Sequence, residues 1–338
     1  VSFETTYTQG ANANLNKGTP KSGTISQSIT LPTIPRASSL SFTDGLTMGS
    51  KSTITINRAS SSFTHTLKYS FGNKSETIGT GLGTSVDWTP SRELGKQIPS
   101  STSGVGTLTL ETYSGGTRVG TSTKTFTLWV SGDMYPTFTS LTLSGRNLGS
   151  DGSYVQTVSH VVATITGATE SYGSPIKSYS ISGHELNVQS SSGTSGVFTT
   201  SGNVTYTAKI TDGRGRSATK TATIYVVPYQ KPSVSITNMY RCDVNGNPQN
   251  EGTYVRIVAD YSTASLSTLS RTYTIKQQKA PQVATWAIVV NKVSLSSASG
   301  TIEYTIPNIS VTDAYNISIT VEDNYGSSTA INRVGVAS

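Results

Sequence analysis

The sequence predicts an all-β chain of three tandem immunoglobulin-like or fibronectin-III-like β-sandwich domains, preceded by a short N-terminal β segment. Two observations support this fold class. First, four landmarks recur in one order from residue 136 and again from residue 232: a strand after a proline, a Gly-x-Tyr-Val string, an Asp-led turn and a final alternating strand. Their spacing of about 100 residues is that of a whole sandwich domain. Second, 17 Tyr and 7 Phe lie within runs rich in Thr, Val and Ile, which favours strands over disorder.

The predicted domains cover residues 36–130, 131–228 and 229–338. A chain of 338 residues is too long for one ordinary core and fits two or three domains of about 100 residues. Residues 1–35 contain two predicted strands, at 1–5 and 24–31, and end in a proline-containing linker. Because two strands are not stable alone in water, we expect residues 1–35 to complete a preceding domain or to pair with another chain.

The first predicted domain shows the strand pattern in several places. Alternation of apolar and polar residues predicts strands at 53–56 and 63–71, and the latter places Phe63, Leu67, Tyr69 and Phe71 on one face. A Gly-rich hairpin follows. Residues 89–99 predict one or two helical turns, with a capping Thr and a proline at the first helical position. A closing hairpin then turns at 115–116.

Charge and composition limit the function classes. The net charge is +7, and residues 36–130 contribute +4 of it through nine Lys or Arg against five Asp or Glu. These basic residues are scattered singly, which predicts no nucleic-acid partner and only a mild attraction to polyanions such as anionic cell-wall polymers. The sequence lacks a window of 18 apolar residues, so no membrane insertion is predicted. The single Cys242 excludes an internal disulfide framework. A start at Val1, without Met or a leader, favours a fragment of a longer chain.

The histidines predict no catalytic or metal site. His65 lies on the same strand face as Phe63 and Leu67, which favours a hydrogen-bonded histidine at the edge of the core. His160 and His184 lack the HxH or HxxxH spacing of a zinc site. The sequence also contains no GxSxG elbow, P-loop or HExxH motif. We therefore assign no catalytic residue, no metal ligand and no cofactor.

Glycoside hydrolysis needs two carboxyl groups about 5–10 Å apart, and two acid pairs in the sequence are candidates. The candidates are Asp87 with Glu93, and Glu322 with Asp323. With 18 acidic residues in the chain, such neighbours also occur by chance. Asp323, like Asp212, begins a turn before a final strand, where an Asp side chain accepts hydrogen bonds from backbone amides two residues on. We predict a structural role for both turns and no enzymatic activity.

The segment 243–251 resembles a calcium loop in its oxygen ligands. Asp243, Asn245, Asn247 and Glu251 supply carboxylate and amide oxygens. However, Gly246 occupies the fourth position of the loop and not the sixth, and clusters of Asp, Asn and Gly are common in hairpin turns. A turn is the favoured interpretation, and calcium binding by this loop stays open as the alternative.

Cys242 and the three tryptophans are the remaining candidates for functional side chains. Cys242 is predicted to be a small buried residue because nothing indicates an electropositive pocket around it. Trp129 lies in an apolar strand and is predicted to pack at the junction of the first and second domains. Trp88, beside a polar turn, is the best candidate for a surface aromatic that stacks on a sugar ring, although a core anchor is favoured. Trp286 remains a further candidate. No ligand-binding residue is assigned.

Several strings resemble a family of minor structural proteins from tailed phages. They are Ile-Pro-Arg-Ala-Ser-Ser at 34–39, the run 58–67, Trp-Thr-Pro at 88–90 with Gln-Ile-Pro at 97–99, and Arg-Cys-Asp-Val-Asn-Gly at 241–246 followed by 251–255. The phages in question are siphophages of Gram-positive bacteria, streptococcal and lactobacillal. The resemblance covers most of residues 31–338. It implies a virion protein of the tail tip, baseplate or fibre, and it transfers no catalytic or ligand residue.

The expected function is therefore a non-enzymatic tail component that forms or presents a binding module for host cell-wall glycan. Expected partners are other tail or baseplate proteins, a cell-wall polysaccharide or surface receptor, and further copies of the chain in the virion. Many weak contacts multiplied by copy number raise affinity without a deep pocket. Two alternatives stay open: a fragment of a bacterial surface adhesin stalk, and a glycan-degrading tail enzyme. Sandwich folds serve unrelated functions, so the fold names neither the receptor nor the domain that binds it.

Overall fold

The structure, a computed structural model, describes residues 36–281 and 285–338, and nearly all regular structure in these ranges is β. The predicted β segment 1–35 lies outside the described residues. The described chain forms two compact units. The first comprises residues 36–98 and 102–131, and the second comprises residues 99–101 and 132–338. The second unit contains two sandwiches.

The first unit is one β-sandwich. Its strands are β1 (Ser39–Ser41), β2 (Leu46–Thr47), β3 (Ser52–Asn57), β4 (Thr64–Phe71), β5 (Lys74–Leu82), β6 (Ser85–Trp88), β7 (Ser103–Ser114) and β8 (Thr117–Trp129). One sheet has the order β1-β3-β6 and the other β2-β8-β7-β4-β5. The predicted alternation in 63–71 is confirmed, since Phe63, Leu67, Tyr69 and Phe71 are all buried. The closing hairpin is β7–β8, also as predicted.

The predicted helical segment is a 3-10 helix, Arg92–Gln97. Its N-cap is Ser91, whose hydroxyl oxygen accepts a hydrogen bond from the Glu93 backbone N–H at 3.2 Å. The sequence-based placement of the cap at Thr89 was two residues too early. Ser91 still has an extended backbone, with φ −63° and ψ 141°, so the helix begins after it. Pro90 therefore precedes the cap and does not occupy the first helical position, contrary to the sequence-based prediction. Leu94 and Gly95 are buried by this helix.

The second unit begins with a sandwich of eight strands: β9 (Ser140–Arg146), β10 (Tyr154–Val155), β11 (His160–Thr166), β12 (Ile176–Gly183), β13 (Leu186–Val188), β14 (Ser192–Thr194), β15 (Gly202–Asp212) and β16 (Ser217–Val227). Its sheets have the orders β14-β11-β9 and β10-β16-β15-β12-β13. Leu141 and Val161 from the first sheet share one core with Ile181 and Tyr206 from the second.

The next sandwich has seven strands: β17 (Ser233–Cys242), β18 (Tyr254–Ser262), β19 (Thr272–Ala280), β20 (Ala287–Ser294), β21 (Ser299–Ile306), β22 (Ala314–Glu322) and β23 (Ser327–Val334). Its sheets have the orders β17-β18-β21 and β20-β19-β22-β23. Val255 and Ile257 on one sheet pack with Ile317 and Ile319 on the other. The three sandwiches thus share one plan: a three-stranded sheet faces a larger sheet that ends in a hairpin, which confirms the predicted all-β, immunoglobulin-like fold class.

The recurring Gly-x-Tyr-Val string does not occupy equivalent elements. Tyr154–Val155 is a two-residue strand parallel to the end of β16, whereas Tyr254 and Val255 begin the long strand β18. In the first case the Ser159 hydroxyl accepts from the Val155 N–H at 2.8 Å, which turns the chain before β11 begins. The recurring string therefore predicted the right kind of domain, although its two copies have different structural roles.

The two sandwiches of the second unit are joined by a small hydrophobic cluster. Val155, Tyr229, Ala264 and Leu269 are its buried members, and Val227, Leu266 and Tyr325 pack against them. Tyr229 lies in the connection between β16 and β17, flanked by Pro228 and followed by Pro232. Burial of an aromatic side chain from the connection fixes the two sandwiches against each other. None of the described helices is long and apolar enough to cross a membrane.

Candidate functional site

The three histidines serve their local structure. His65 is fully buried, with Nδ1 at 2.9 Å from the Leu82 carbonyl oxygen and Nε2 at 2.8 Å from the Ser38 hydroxyl. This is the predicted hydrogen-bonded core histidine. His160 Nδ1 lies 3.1 Å from the Ser195 carbonyl oxygen. His184 Nε2 accepts from the Thr199 N–H at 3.0 Å. Among residues 36–281 and 285–338, no three His, Cys, Asp or Glu side chains gather as metal ligands.

The four acids of the two candidate pairs contact different groups. Asp87 pairs with Lys51 at 3.0 Å, Glu93 with Lys96 at 2.6 Å and Glu322 with Lys292 at 3.0 Å. Asp323 accepts from the Tyr229 hydroxyl at 3.1 Å. The Thr53 hydroxyl and the Lys51 ammonium lower the pKa of Asp87. A carboxylate held in its ionised form does not deliver a proton, so Asp87 is unsuited to the general-acid role that glycoside hydrolysis needs.

The predicted Asp-led turns have the predicted structure. Asp212 Oδ1 accepts from the backbone N–H groups of Arg214 at 3.0 Å and Arg216 at 2.9 Å. Asp323 Oδ1 accepts from the N–H groups of Tyr325 at 2.8 Å and Gly326 at 3.0 Å. Each carboxylate therefore closes the hairpin before the last strand of its sandwich. Cys242 is fully buried, as predicted, and its burial raises the pKa of the thiol.

The loop after β17 is a closed turn around Asp243. Its Oδ1 accepts from the backbone N–H groups of Asn245 and Asn247, both at 2.9 Å, and its Oδ2 accepts from the Asn247 side-chain amide at 2.9 Å. The Gly246 N–H donates to the Asp243 carbonyl oxygen at 3.1 Å. Both carboxylate oxygens of Asp243, which the calcium interpretation treated as ligands, thus accept hydrogen bonds from the turn itself. These hydrogen bonds lower the pKa of Asp243, the Asn247 amide contributing most.

The lowered pKa of Asp243 makes a pH-dependent contribution to stability. Because the folded-state pKa lies below the unfolded one, the contribution is fully present above the unfolded pKa, about 4, and is lost as the pH falls through the folded pKa. We expect the difference in melting temperature between the wild type and Asp243→Asn to be constant from about pH 5 to 7 and to shrink below about pH 4. Thermal unfolding across this pH range measures it.

The matched control for Asp243 is Glu251→Gln. Glu251 is exposed in the same loop, and its side chain forms no hydrogen bond or ion pair within the described residues. This variant should follow the wild type at every pH. A constant difference between wild type and Asp243→Asn down to pH 2 would show that the carboxylate charge does not stabilise the turn.

The tryptophans reverse the predicted ranking of surface aromatics. Trp88 is only 8% exposed, and its ring centroid lies 5.0 Å from that of Tyr69 and 5.4 Å from that of Phe126. It is the core anchor that the sequence favoured. Trp129 is 46% exposed. Because Phe126 and Leu128 of β8 point into the core, the period-two alternation of a strand turns Trp129 outward.

Trp129 lies on the outer face of the five-stranded sheet of the first unit. In the β7–β8 register, Trp129 pairs with Ser103 and Thr127 pairs with Val105, so Trp129 and Val105 are diagonal neighbours on this face. Val105 is 69% exposed. Alternate residues of β8 continue the face with threonines, Thr125 among them. An exposed indole beside a row of hydroxyl groups is a surface of the kind that stacks on and hydrogen-bonds to sugars. We call it the Trp129 face.

A cavity lies between the two sandwiches of the second unit, with a volume of about 310 Å³. The side chains that define it are Gln156, Pro228, Tyr229, Gln230, Thr263 and Ser265. Tyr229 forms its buried wall. The Tyr229 hydroxyl donates to Asp323 Oδ1 at 3.1 Å, and its ring meets that of Tyr325 edge-to-face at 5.4 Å. Burial and the Asp323 carboxylate raise the pKa of Tyr229 far above its ordinary value. We call this space the junction cavity.

Sequence reasoning missed the junction cavity because its walls come from three separate segments. Gln156 follows β10, residues 228–230 form the connection to β17, and residues 263–265 follow β18. One signal was available: the connection Pro-Tyr-Gln-Lys-Pro at 228–232 places an aromatic residue between two prolines. An aromatic side chain in a stiff interdomain connection indicates a packed joint, since exposing it would leave its apolar surface in water.

The fold and these surfaces define a multidomain β-sandwich protein with exposed polar faces. The chain belongs to the family described as siphovirus protein of unknown function (DUF859), which matches residues 4–258. It is therefore a phage protein, as the resembling strings implied. None of the curated proteins shows significant sequence similarity to the chain.

Solved structures with related folds include other tandem-domain proteins. The titin I-band fragment I67–I69 is 12% identical, with 90% of this chain and 100% of that one covered and a TM-score of 0.43. The three N-terminal domains of the highly immunogenic outer capsid protein (Hoc) of bacteriophage RB49 are 13% identical, with 89% and 99% covered and a TM-score of 0.30. Domains FN1–FN3 of chicken CNTN1 are 11% identical, with 88% and 97% covered and a TM-score of 0.25.

Proposed function

We propose that the protein is a non-enzymatic structural component of the siphovirus tail, at the tip, baseplate or fibre, that forms or presents a surface for the cell-wall glycan of a Gram-positive host. The observation that carries the proposal is membership of a siphovirus family by a chain built of immunoglobulin-like sandwiches. Such domains expose sheet faces and loops to partners while their cores are filled by packing alone.

The Trp129 face supports glycan binding in particular. An indole ring offers an apolar surface to the CH groups of a sugar, and the hydroxyl group of neighbouring Thr125 can both donate and accept hydrogen bonds. The Thr127 hydroxyl donates to Asp44 Oδ2 at 3.1 Å and can accept a hydrogen bond. A single flat face of this kind binds weakly. Several copies in a virion, contacting a repeating polymer, raise the overall affinity by about 10²–10⁴. The net charge of +4 between residues 36 and 130 adds attraction to anionic wall polymers.

Binding to cells tests the proposal. We expect the labelled chain to bind Gram-positive cells saturably and to lose binding when wall polysaccharide is stripped. Trp129→Ala should weaken binding about tenfold, the loss of one stacked aromatic. Tyr225→Ala is the matched control, since Tyr225 is an exposed aromatic on β16 of the second unit and is not part of the Trp129 face. A different result would contradict the proposal: binding that weakens steadily as the salt concentration rises, and that changes neither on removal of wall polysaccharide nor in Trp129→Ala. It would indicate nonspecific electrostatic attraction.

The alternative of a glycan-degrading tail enzyme has its own measurement. Incubation of the chain with purified cell wall should release no reducing sugar, because Asp87, Glu93 and Glu322 each pair with a different lysine and Asp323 accepts from the Tyr229 hydroxyl. Release of sugar that Asp87→Asn or Glu322→Gln abolishes would contradict the non-enzymatic proposal.

A further inference from the structure

The junction cavity has the size and construction of a small-molecule site. Its volume of about 310 Å³ lies at the lower end of the range for ligand pockets, about 300–1,000 Å³. Sites of this kind are common where two domains meet. Tyr229 is buried in the joint and hydrogen-bonded to Asp323, so the cavity is formed before any ligand arrives. A preformed site avoids the entropy cost of ordering its walls on binding.

The walls of the cavity are polar but uncharged. They consist of two glutamine amides, a threonine, a serine, a tyrosine and the prolyl ring of Pro228, together with Ala264. Two ionic side chains that contact the wall residues already bond to other protein groups. Arg271 donates to the Thr263 hydroxyl at 2.7 Å and to the carbonyl oxygens of Ala264 and Leu266 at 2.6 and 2.9 Å. Asp323 accepts from Tyr229 and its own turn. Uncharged walls of this kind favour a neutral polar ligand, whose desolvation costs less than that of a charged one.

The available hydrogen-bonding groups lie on the two sides of the cavity. Gln156 is oriented by its neighbours: its Oε1 accepts from the Tyr229 N–H at 3.3 Å, and its Nε2 donates to the Thr199 carbonyl oxygen at 3.0 Å. One amide hydrogen and one lone pair of Gln156 remain for a ligand. Gln230 and Ser265 are exposed and form no hydrogen bond with any described residue. Each offers a donor and an acceptor to the cavity.

We propose that the junction cavity binds one neutral sugar unit, as a second binding site distinct from the Trp129 face. Adjacent hydroxyl groups of a sugar both donate and accept, which matches the amides of Gln156 and Gln230 and the hydroxyl of Ser265. Its CH face packs against Pro228. This choice of ligand class rests on the proposed function. Because Gln156 belongs to one sandwich and Ser265 to the next, a bound sugar contacts both and stabilises the joint.

The test uses the full chain and saturation-transfer NMR with four neutral probes: glucose, galactose, rhamnose and N-acetylglucosamine. Glycerol phosphate serves as the anionic comparison. We expect transfer to at least one neutral sugar and none to glycerol phosphate. Ser265→Trp, which fills the cavity from its rim, should weaken the binding of that sugar at least about tenfold. Ser267→Trp is the matched control, because Ser267 is an exposed serine of the same loop that does not line the cavity.

A second variant removes a hydrogen-bonding group without adding bulk. Gln230→Ala should weaken binding of the same sugar several-fold, whereas Gln249→Ala, an exposed glutamine in the loop after β17, should leave it unchanged. Equal transfer in wild type and Ser265→Trp, or no transfer to any neutral sugar, would overturn the cavity proposal. Cell binding of Ser265→Trp separates the two proposals: binding to cells without sugar transfer leaves the proposed function standing and removes the cavity as its site.

Discussion

Arg241→Met is expected to lower the free energy of unfolding of the third sandwich by about 3 kcal/mol, the scale of losing hydrogen bonds from a buried charged donor. The Arg241 guanidinium is 8% exposed. It donates to four carbonyl oxygens, which belong to Gly252 at 3.1 Å, Ser310 at 3.0 Å, Asp313 at 3.0 Å and Gly335 at 2.8 Å. Methionine keeps much of the side-chain volume but leaves these oxygens without a donor.

Hydrogen exchange measured by mass spectrometry shows which strands lose stability in this variant. Exchange in β17 and β22 should accelerate in Arg241→Met, while β15 in the neighbouring sandwich, which has its own core, should keep its protection. Arg333→Met is the matched control, because the Arg333 side chain on β23 is exposed and forms no hydrogen bond or ion pair with a described residue. It should cost less than about 0.5 kcal/mol. Equal acceleration in both variants would show that the four carbonyl contacts add no stability.

Buried arginine–carbonyl contacts recur in the second unit. Arg214 is buried and donates to the carbonyl oxygens of Ser171 at 2.7 Å and Tyr172 at 2.9 Å. Arg271 does the same after β18. The sequence excludes an internal disulfide framework, since the chain has one cysteine. The structure adds these arginines, each of which links backbone carbonyl groups of loops through hydrogen bonds.

The fold was predictable because it depends on patterns that a sequence displays directly. Alternation along 63–71 follows from the two-residue period of a strand, and the Asp-led turns depend on side chains that bond amides two residues away. The arginine contacts were not predictable in this way. Arg241 donates to the Gly335 carbonyl oxygen, 94 residues further along the chain. Every residue has a carbonyl oxygen, so the residue type does not indicate which one a buried arginine binds.

The surface candidates illustrate the same limit. Trp129 follows the buried residues Phe126 and Leu128, so the two-residue period of the strand predicts that it points outward. The apolar character of the segment favoured the wrong interpretation, a packed tryptophan. The junction cavity is different, because the approach of residues 156, 228–230 and 263–265 depends on how two sandwiches pack. Packing of whole domains depends on surface complementarity and not on a local period.

The two glycines of the recurring string should respond differently to alanine. Gly252→Ala is expected to cost about 3 kcal/mol, the upper end for overpacking, because a Cβ there would lie 2.1 Å from the Cys242 carbonyl oxygen and 2.6 Å from its carbonyl carbon. Both contacts are with backbone, so the ends of β17 and β18 would have to separate. Gly152→Ala is expected to cost only about 1 kcal/mol, since Gly152 has a φ of +82° but open space around it.

Asparagine distinguishes these two causes. At residue 152 it should be tolerated better than alanine, because asparagine adopts positive φ more readily than other side chains do. At residue 252 it should be at least as harmful as alanine, because the obstacle is space and asparagine is larger. Exchange protection of β11 and β18 in the four variants reports each sandwich separately. If Gly252→Ala proved as mild as Gly152→Ala, the close approach of Gly252 to Cys242 would not constrain the sandwich, and the two strings would share one physical role.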